Sequence, residues 1–414
     1  MTNCKDFYGL DNGFFEERGC INTASEIASQ PKLWNDLAVI LQEKKQYISD
    51  FMQRLSASTG GVTDNFADSL SKMRIILTGA GSSAFIGEAL SGFIAKSRGI
   101  KCEAVHTTDI VSAPETVLFS DVPTLLISFA RSGNSPESVG AVQYARKKVK
   151  NLFEATIVCD GSSKLYNVTA EDKKNLVLVM PEGSNDKGFA MTSSVSCMLL
   201  AGFALLNFEK IDEIVKDIKQ LSKNMEGESL KLSEKALRCA KIAFDRAVYL
   251  ASGAFKGLAH EGSLKMLELS YGNVNTSFDS ATGFRHGPKA VIKDNTMSLH
   301  FISSDLFTAK YDIDLLLEVY RQKSNNKVIA ICSYNLKEGN VKENYAKEIE
   351  ADEIIMVPSS GYGLTDHLCT GIGGLVFFQM LAMFKSLELG ITTDNPSPGG
   401  QVNRVVKGVT VHLY

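Results

Sequence analysis

Short apolar runs rich in β-branched residues alternate with longer helical stretches from residue 74 onward. Near-continuous apolar runs of this length are typical of parallel strands that are buried on both faces. In the first half these runs occupy residues 74–77, 124–129, 155–159 and 176–180. A helical pattern follows each run, which predicts βαβ units. The seventy residues before them are expected to be helical, with a capping box formed by Thr23 and Glu26.

The same pattern recurs in the second half of the chain. The four later runs, which resemble the earlier ones in the same order and at a nearly constant offset, occupy residues 249–253, 299–303, 328–332 and 354–357. A single match between two parallel strands carries little weight, because such strands look alike. Four matches in order predict a duplicated α/β domain.

The segments outside the matched runs are expected to be mainly helical. The charged stretch 208–241 lacks proline and contains one glycine, so it predicts a helix rather than a flexible linker. The apolar stretch 368–384 is interrupted by polar residues and three glycines, which favours a buried helix over a membrane span. The final segment, 392–414, is expected to begin as a loop and to end in a short strand at 409–412.

Composition indicates an ordinary globular protein. Of the 414 residues, 44% are hydrophobic and 22% are charged, which suits a full core. A net charge of −3 argues against a nucleic-acid surface and gives no reason to expect an anionic membrane as a partner. The eight cysteines are scattered, so they are expected to be free thiols in a reducing compartment. The N-terminus does not resemble a signal peptide, and we expect a soluble cytoplasmic protein.

The segment 128–138 carries the clearest chemical signal. It follows a predicted strand and opens a predicted helix, with Ser135 suited to the N-cap and Pro136 to the first helical position. Such a turn points backbone N–H groups at one spot, where the helix dipole favours an anion. The hydroxyls of Ser132 and Ser135 can add donors, so a phosphate monoester fits without a metal. The alternative is a well-capped turn that binds nothing.

The segment 78–84, Thr-Gly-Ala-Gly-Ser-Ser-Ala, also joins a strand to a helix. It matches the relaxed fingerprint GxGxxA, so a dinucleotide-binding enzyme is one alternative. That fingerprint needs an acidic residue at the end of the next strand. The next run, 102–107, ends in His106 and Thr107, and Thr108 follows it, so the acidic residue is missing there. The serines suit sugar hydroxyls or a phosphate, and a glycine turn without a ligand is the other alternative.

Two further segments could carry acid–base chemistry. The helix 260–269 places Glu261, Lys265 and Glu268 on one face, at positions i, i+4 and i+7. Spacing alone favours a solvated salt-bridge ladder there over a catalytic cluster. His286 follows Arg285 in a loop, where an imidazole can shuttle a proton, or can simply be satisfied by backbone groups. The six histidines show no metal-ligand spacing, so we expect no metal site. No GxSxG motif is present to support a Ser–His–Asp hydrolase.

With these residues considered together, the chain resembles the sugar isomerase (SIS) domain family. Four features of this chain also occur in the isomerase half of glucosamine-6-phosphate synthase. They are a serine-rich loop (131–135), a Leu-Lys-x-x-Glu helix (264–268), a turn that is Lys-His-Gly-Pro in the synthase (285–288) and a lysine-bearing tail (403–409). The bacterial galactosamine-6-phosphate deaminase/isomerase family, also named tagatose-6-phosphate ketose/aldose isomerase, is more similar still. The segments that resemble it almost residue for residue are 76–87, 127–139, 188–194, 278–289 and 402–406.

The resemblance implies two tandem SIS domains, each a parallel five-stranded sheet in a flavodoxin-like α-β-α sandwich. Four divisions are expected. They are an N-terminal helical segment (1–45), a first SIS domain with the phosphate loop (46–207), a second SIS domain with the catalytic helix and the histidine loop (208–390), and a C-terminal tail over the active site (391–414). The second repeat has lost the Ser-Gly-x-Ser pattern at 303–307, so one phosphate site is expected rather than two.

The resemblance also implies roles for particular residues. Glu268 would shuttle the proton between C1 and C2, and Lys265 would stabilise the charged oxygen or move the hydroxyl proton. His286 would assist ring opening, and Lys407 would approach the open-chain carbonyl. The residues implied to bind the phosphate or the sugar are Gly81, Ser82, Ser83, Arg131, Ser132, Asn134, Ser135, Thr192, Ser193 and Arg285.

The implied reaction converts galactosamine 6-phosphate to tagatose 6-phosphate and ammonia, or interconverts ketose and aldose 6-phosphates, with no cofactor. A glucosamine-6-phosphate enzyme and a non-catalytic phosphosugar sensor are the alternatives. The chain shows no DNA-binding segment, and its matches to catalytic residues favour an enzyme. Related enzymes often build the active site across a dimer interface, so a homodimer is expected by analogy.

Overall fold

The structure is a computed structural model, and it describes residues 6–60, 66–322, 324–333, 349–361, 363–406 and 408–412. The strands in these ranges are β1 (Asp6–Phe7), β2 (Leu10–Asp11), β3 (Arg74–Thr78), β4 (Cys102–Ala104), β5 (Thr124–Ala130), β6 (Leu152–Val158), β7 (Leu176–Val179), β8 (Arg246–Ala251), β9 (Asn275–Asp279), β10 (Thr296–Phe301), β11 (Lys327–Ser333) and β12 (Glu353–Val357).

The α-helices in the same ranges are α1 (Asn12–Glu16), α2 (Ile21–Glu43), α3 (Lys45–Ser58), α4 (Phe66–Ser71), α5 (Ser82–Arg98), α6 (Thr107–Ser112), α7 (Pro114–Val117), α8 (Pro136–Lys148), α9 (Lys164–Ala170), α10 (Ser193–Leu206), α11 (Ile211–Ala240), α12 (Phe255–Leu269), α13 (Ala281–Phe284), α14 (Leu306–Arg321) and α15 (Asp366–Glu388). Short 3₁₀ turns cover Glu182–Ser184, Phe208–Lys210 and Pro288–Val291.

Two five-stranded sheets form the frame of the fold. Their strand orders are β4-β3-β5-β6-β7 and β9-β8-β10-β11-β12, and every neighbouring pair is parallel. Numbered by appearance, the strands of each sheet run 2-1-3-4-5, which is the flavodoxin-like doubly wound order. The predicted strands and the fold class are confirmed, and the two sheets have the same strand order, whereas the duplication stays a prediction.

The chain divides into two compact units, and two of the divisions fall inside α2 and α11. The β8–β12 unit comprises Met1–Lys32, Lys187–Thr192 and Asp217–Gln401. The β3–β7 unit comprises Leu33–Asp186, Ser193–Lys216 and Val402–Tyr414. The domain boundaries expected from the sequence stay a prediction.

Helices cover both faces of the sheet in the β3–β7 unit. Ile76 and Leu126 pack with buried residues of α6, α8 and α9 on one face. On the other face, Leu90 of α5 and Phe129 of β5 approach Gly202 of α10 so closely that a Cβ there would collide with both. Because both faces are covered, the strands between them are apolar without interruption.

The β8–β12 unit is layered in the same way. Val248 and Leu250 of β8 pack with α13 and α14. Between them in sequence, Tyr249 points to the opposite face, where its ring meets Phe378 of α15 edge-on at a centroid distance of 5.0 Å. The helix α12 lies against the same face, because Gly262 contacts both of those rings. This packing fixes α12 beside the sheet.

The helix α15 is long and apolar enough to cross a membrane, and it is the one unbroken helix of the described residues with that property. Its apolar window is 94% buried inside the fold. It therefore serves as a core helix, as the sequence predicts for the stretch 368–384. The helix expected at 208–241 is also confirmed, since α11 covers nearly all of that stretch.

The capping box expected at Thr23 and Glu26 is wrong. The helix α2 begins at Ile21, and both side chains bond to residues far away in sequence. Thr23 donates its N–H and its hydroxyl to Asp394 Oδ1, at 2.8 and 2.7 Å. Glu26 Oε1 accepts the N–H of Gly188 at 3.0 Å. Long-range partners thus replace the local pair that the sequence suggests.

The strand expected at 409–412 is also wrong. These residues have no regular secondary structure. Val411 instead packs its side chain against Gly140 of α8, and it joins the rim of that unit's hydrophobic cluster, which Val111 of α6 also borders. Val411 therefore packs as a single side chain on a helix rather than in a sheet.

Candidate functional site

The turns after β3 and β5 lie side by side at one edge of the first sheet. The strand order reverses between these two strands, and in open α/β sheets ligands bind outside the carboxyl ends of the strands at such a switch point. The predicted residues Gly81 to Ser83 follow β3, and Arg131 to Ser135 follow β5. The topology therefore places both sequence motifs at one edge.

The turn after β3 opens directly into α5. Gly81 occupies the N-cap position, and Ser82 and Ser83 form the first turn of the helix with only 4% and 5% of their surface exposed. Thr107 donates its N–H to the Gly79 carbonyl at 2.8 Å, and its hydroxyl donates to the same oxygen. The turn is therefore fixed from the side by the start of α6.

The turn after β5 opens into α8, with Ser135 at the N-cap and Pro136 at the first helical position, as predicted. The Ser135 hydroxyl lies 2.7 Å from the Ser138 hydroxyl. Asn134 uses its side-chain oxygen to accept the Lys164 N–H at 3.1 Å. The Asn134 side chain therefore connects this turn to the start of α9.

Gly133 is the tightest point of that turn. Its φ of +59° lies in the left-handed region, where a residue with a Cβ is strained. A Cβ on Gly133 would also overlap the Ser163 hydroxyl, which caps α9 by accepting the Tyr166 N–H. Both constraints require glycine between Ser132 and Asn134.

Arg131 is buried, with 7% of its surface exposed. Its Nη2 donates to the main-chain carbonyl of Arg404 at 2.7 Å. Arg404 in turn donates from Nε to the carbonyl of Asp186 at 3.0 Å. The segment that follows Gln401 is thus attached to the turn after β5, a connection that the sequence does not predict.

Thr192 and Ser193 are held by buried polar side chains. The Asp186 carboxylate accepts the N–H groups of Ser193 and Ser194, at 3.1 Å each, and both of their hydroxyls. Asp186 is 1% exposed and caps the start of α10. In the other unit, the Thr192 carbonyl accepts from Gln379 Nε2 at 3.2 Å. The sequence does not indicate Asp186 or Gln379. Asp186 precedes Ser193 by seven residues, which matches no local capping motif, and Gln379 lies 187 positions from Thr192.

The helix α12 carries a buried charge cluster. Lys265 is completely buried, and its Nζ lies 3.4 Å from Glu261 Oε1 and within hydrogen-bonding contact of Glu268 Oε2. Glu261 is 1% exposed, whereas the Glu268 side chain keeps 25% of its surface accessible. The solvated ladder expected from the spacing is therefore wrong. Two carboxylates share one ammonium group, and one of the carboxylates is open to solvent.

His286 is exposed in the turn between α13 and the following 3₁₀ helix. Its neighbour Arg285 donates from Nε to Glu318 of α14 at 2.7 Å, and Lys289 contacts the other oxygen of the same carboxylate. The ammonium and the guanidinium groups keep the pKa of Glu318 below its usual value. Arg285 is thus paired with Glu318 and braces the turn that carries His286.

The matching switch point of the second sheet has a different chemistry. The Ser303 N–H donates to Asp312 Oδ2 at 3.0 Å, and Asp305 caps α14 by accepting the Thr308 N–H. Burial raises the pKa of Asp312 to about 6, despite hydrogen bonds from Ser252 and Ser303. A carboxyl group behind the turn disfavours an anion there. A single phosphate site stays the prediction.

The remaining predicted site residue, Lys407, lies outside the described residues. The other predicted residues fall into two sets. Those in the turns after β3 and β5, together with Ser193, belong to the β3–β7 unit, and those in α12 and the histidine loop, together with Thr192, belong to the β8–β12 unit. Within the described ranges, no group of three or more His, Cys, Asp or Glu side chains could hold a metal ion.

The chain is similar to known proteins over its whole length. The SIS domain family matches residues 70–207. The D-galactosamine-6-phosphate deaminase AgaS of Shewanella sp. (strain ANA-3) is 35% identical over 96% of this chain and 93% of its own length. The crystal structure of tagatose-6-phosphate ketose/aldose isomerase from Escherichia coli is 33% identical, with a TM-score of 0.81 over 95% of this chain and 96% of that one. A Clostridium novyi structure, provisionally given the same enzyme name, is 38% identical, with a TM-score of 0.87 over 99% of this chain and 100% of that one.

Proposed function

We propose that this chain, a member of the SIS-domain family that includes the D-galactosamine-6-phosphate deaminases, is itself such an enzyme. It would convert galactosamine 6-phosphate and water to tagatose 6-phosphate and ammonia. The relatives named above are enzymes, and their names give phosphosugars as substrates. The pairing of a deaminase name with an isomerase name fits one chemistry, since this deamination is a C1/C2 isomerisation followed by hydrolysis of an imine.

The observation that carries the proposal is the charge cluster on α12. A carboxylate that takes a proton from carbon must be reachable by substrate and must be held in one orientation. Glu268 is partly exposed and contacts the buried Lys265 ammonium, which Glu261 contacts from the other side. This arrangement supports Glu268 as the proton shuttle. The role proposed for Lys265, to stabilise charge on the substrate oxygen, is what the resemblance to related enzymes implies.

In the proposed reaction, ring opening gives an aldehyde at C1 beside the amine-bearing C2. Glu268 takes the C2 proton, the electrons of that bond form the C1=C2 double bond, and Lys265 gives O1 a proton. Return of the proton from Glu268 to C1 converts the enolamine to a C2 imine, and the proton released from nitrogen restores Lys265. Water then adds to C2 and ammonia leaves, which gives the ketose.

The phosphate is proposed to bind at the edge of the first sheet. Ser83, Ser132 and Ser135 would donate their hydroxyls, and the first turns of α5 and α8 would add backbone N–H groups and favourable dipoles. This chemistry needs neither a lysine nor a metal. His286 is proposed to assist ring opening and Lys407 to approach the open-chain carbonyl.

A homodimer and a cytoplasmic location also belong to the proposal. The homodimer rests on the analogy with related enzymes, which often share an active site between two chains. Light scattering of the pure protein tests it directly. A molar mass near twice the 45.1 kDa of the chain is expected, and a monomer that turns over substrate at the full rate would exclude a shared site.

The function is tested by incubating pure protein with galactosamine 6-phosphate and assaying ammonia and tagatose 6-phosphate separately. Parallel reactions with glucosamine 6-phosphate, and with tagatose and fructose 6-phosphates, distinguish the galacto enzyme from a gluco enzyme and deamination from simple isomerisation. If none of these substrates gives a product, the enzyme proposal is wrong.

Glu268→Gln tests the role of the shuttle. The amide cannot take a proton from C2, so turnover should fall by at least about a thousandfold while phosphosugar binding is largely retained. Glu213→Gln, at an exposed position of α11, is the matched control and should behave as the wild type. Retained turnover in Glu268→Gln would remove Glu268 from this role.

A further inference from the structure

Two arginines connect the C-terminal tail, residues 402–412, to the turn after β5. We propose that Arg404 and Arg131 act together as positioning residues: they latch the tail onto this turn, and Arg131 thereby serves the tail rather than the substrate phosphate. The inference rests on the proposed function in one respect, that the turn binds the phosphate. All its contacts lie within the β3–β7 unit.

The Arg131 side chain directs its charge into the fold rather than into solvent. Only 7% of its surface is exposed, and an arginine so deeply buried must find hydrogen-bond acceptors or lose much of its solvation free energy. One acceptor is the main-chain carbonyl of Arg404, 2.7 Å from Nη2. The carbonyl belongs to the backbone, so this hydrogen bond depends on the position of the tail and not on the side chain of residue 404.

Arg404 provides the second half of the latch. Its Nε donates to the Asp186 carbonyl at 3.0 Å, Nη2 contacts the same oxygen, and Nη2 lies 3.4 Å from Asn185 Oδ1. Two nitrogens of one guanidinium on a single turn give a defined orientation, which a point charge could not. The side chain therefore fixes the carbonyl that Arg131 binds.

The turn that receives Arg404 also starts α10. The Asp186 carboxylate accepts the N–H groups and the hydroxyls of Ser193 and Ser194, while its carbonyl receives Arg404. One residue thus connects the tail to a serine pair of which Ser193 is a predicted substrate contact. Loss of the latch should therefore disturb two sides of the site.

A second anchor fixes the far end of the tail. Val411 packs against α8 at Gly140, where a Cβ would lie 2.9 Å from a Val411 methyl group. The Tyr144 hydroxyl, one turn further along α8, donates to the His412 carbonyl. The helix that begins at the phosphate turn therefore holds the end of the tail, and Arg404 holds its beginning. Lys407 lies between these anchors in sequence.

These contacts predict a separation of binding from turnover. If Arg131 serves the tail, Arg131→Met should leave the affinity for inorganic phosphate within about twofold and should lower kcat at least tenfold, with KM little changed. Arg404→Met should give the same pattern. Because both arginines belong to one latch, the double variant should lose no more than the worse single variant, a clear departure from additivity.

The experiment compares the wild type, Arg131→Met, Arg131→Lys, Arg404→Met and the double variant of the full chain. It measures kcat and KM, the Kd of inorganic phosphate by calorimetry, and hydrogen exchange of the peptide 402–412. Exchange of that peptide should rise at least about fivefold in the Met variants, whereas peptides of β3 and β5 should not change. Arg131→Lys can still donate one hydrogen bond to the Arg404 carbonyl, and it should recover part of kcat.

The matched control is Arg54→Met. Arg54 also donates to a main-chain carbonyl, that of Lys174 at 3.2 Å, in the same unit but in an exposed position. It should change neither kcat nor tail exchange. If Arg131→Met instead weakens phosphate binding tenfold and leaves tail exchange unchanged, Arg131 is a phosphate ligand and the latch is wrong. Wild-type kcat and exchange in Arg404→Met would also overturn it. If no phosphosugar is turned over, the proposed function fails, while the exchange and phosphate measurements still decide the latch.

Discussion

The ammonium nitrogen of Lys265 lies 3.4 Å from Oε1 of Glu261, and neither side chain has more than 1% of its surface exposed. A charge so deeply buried depends on its partner, because the solvation it has lost is not otherwise replaced. The pair is part of the fold of α12 as well as of the proposed site. Its energetics can therefore be measured apart from turnover.

Lys265→Met should destabilise the protein by about 3–5 kcal/mol, since it leaves the Glu261 carboxylate buried without its partner. Glu261→Gln should be destabilising for the converse reason, although Glu268 still pairs with the lysine. The double variant Glu261→Gln/Lys265→Met removes both charges and should be more stable than Lys265→Met alone. Urea denaturation of the three variants measures these differences.

A lysine on the exposed side of the same helix provides the control. Lys256 keeps 46% of its side-chain surface exposed and lies 3.6 Å from Asp279. Lys256→Met should change the free energy of unfolding by less than about 1 kcal/mol. A cost of that small size for Lys265→Met would show that the buried pair contributes little, contrary to the geometry.

Gly133→Ala should disturb the turn after β5 in two ways. The left-handed φ costs a residue with a Cβ about 1–2 kcal/mol, and the methyl group also overlaps the Ser163 hydroxyl. We expect a loss of stability larger than the φ cost alone and a tenfold or greater weakening of inorganic phosphate binding. Calorimetric titration and thermal unfolding measure the two effects.

Two companion variants separate the causes. Gly99 has a similar φ of +68°, and nothing lies within 4 Å of a Cβ added there. Gly99→Ala should therefore lose only the stability that the backbone conformation costs, and it should leave phosphate binding intact. Gly133→Ala/Ser163→Ala removes the overlapping oxygen and should recover part of the phosphate affinity. If Gly133→Ala binds phosphate as well as Gly99→Ala does, the turn is not the phosphate site.

Asp312 should make stability depend on pH. Burial raises the pKa of its carboxyl group to about 6 in the folded chain. The folded state therefore holds this proton more tightly than the unfolded state, so the stabilisation is fully present below about pH 4 and is lost as the pH rises through 6. Between pH 5 and pH 8 the wild type should lose about 1 kcal/mol relative to Asp312→Asn.

Urea denaturation of both proteins at several pH values in that range measures the difference. Asp314, exposed on the same helix two residues away, supplies the control, and Asp314→Asn should follow the wild type at every pH. A stability difference between the wild type and Asp312→Asn that does not change with pH would mean that the Asp312 carboxyl group titrates outside this range.

The parts of the fold that the sequence predicts are those set by local composition. The run 124–129 reads as a buried strand because both of its faces are covered by helices, which leaves no polar position to confuse the pattern. Ser135 and Pro136 occupy the expected cap positions because a helix start has strict local requirements. The repeated pattern then predicts the duplication.

The failures have the opposite origin, because distant residues decide them. Thr23 and Glu26 have the spacing of a capping box, but Asp394 and the backbone at Gly188 bind them instead. Spacing on α12 cannot reveal burial, since the same i, i+4 pattern suits a solvated face or a buried one. The role of Asp186 cannot be recognised from spacing, because Ser193 follows it by seven residues, which is no capping spacing, and Arg404 lies 218 positions away.

The bond between Thr23 and Asp394 has a consequence for synthesis on the ribosome. The two residues are separated by 371 positions, so at about 5–20 residues per second the nascent α2 waits roughly 20–75 s for the side chain that caps it. Until then its first turn exposes N–H groups to water. The helix α2 therefore reaches its final form only after residue 394 has been translated.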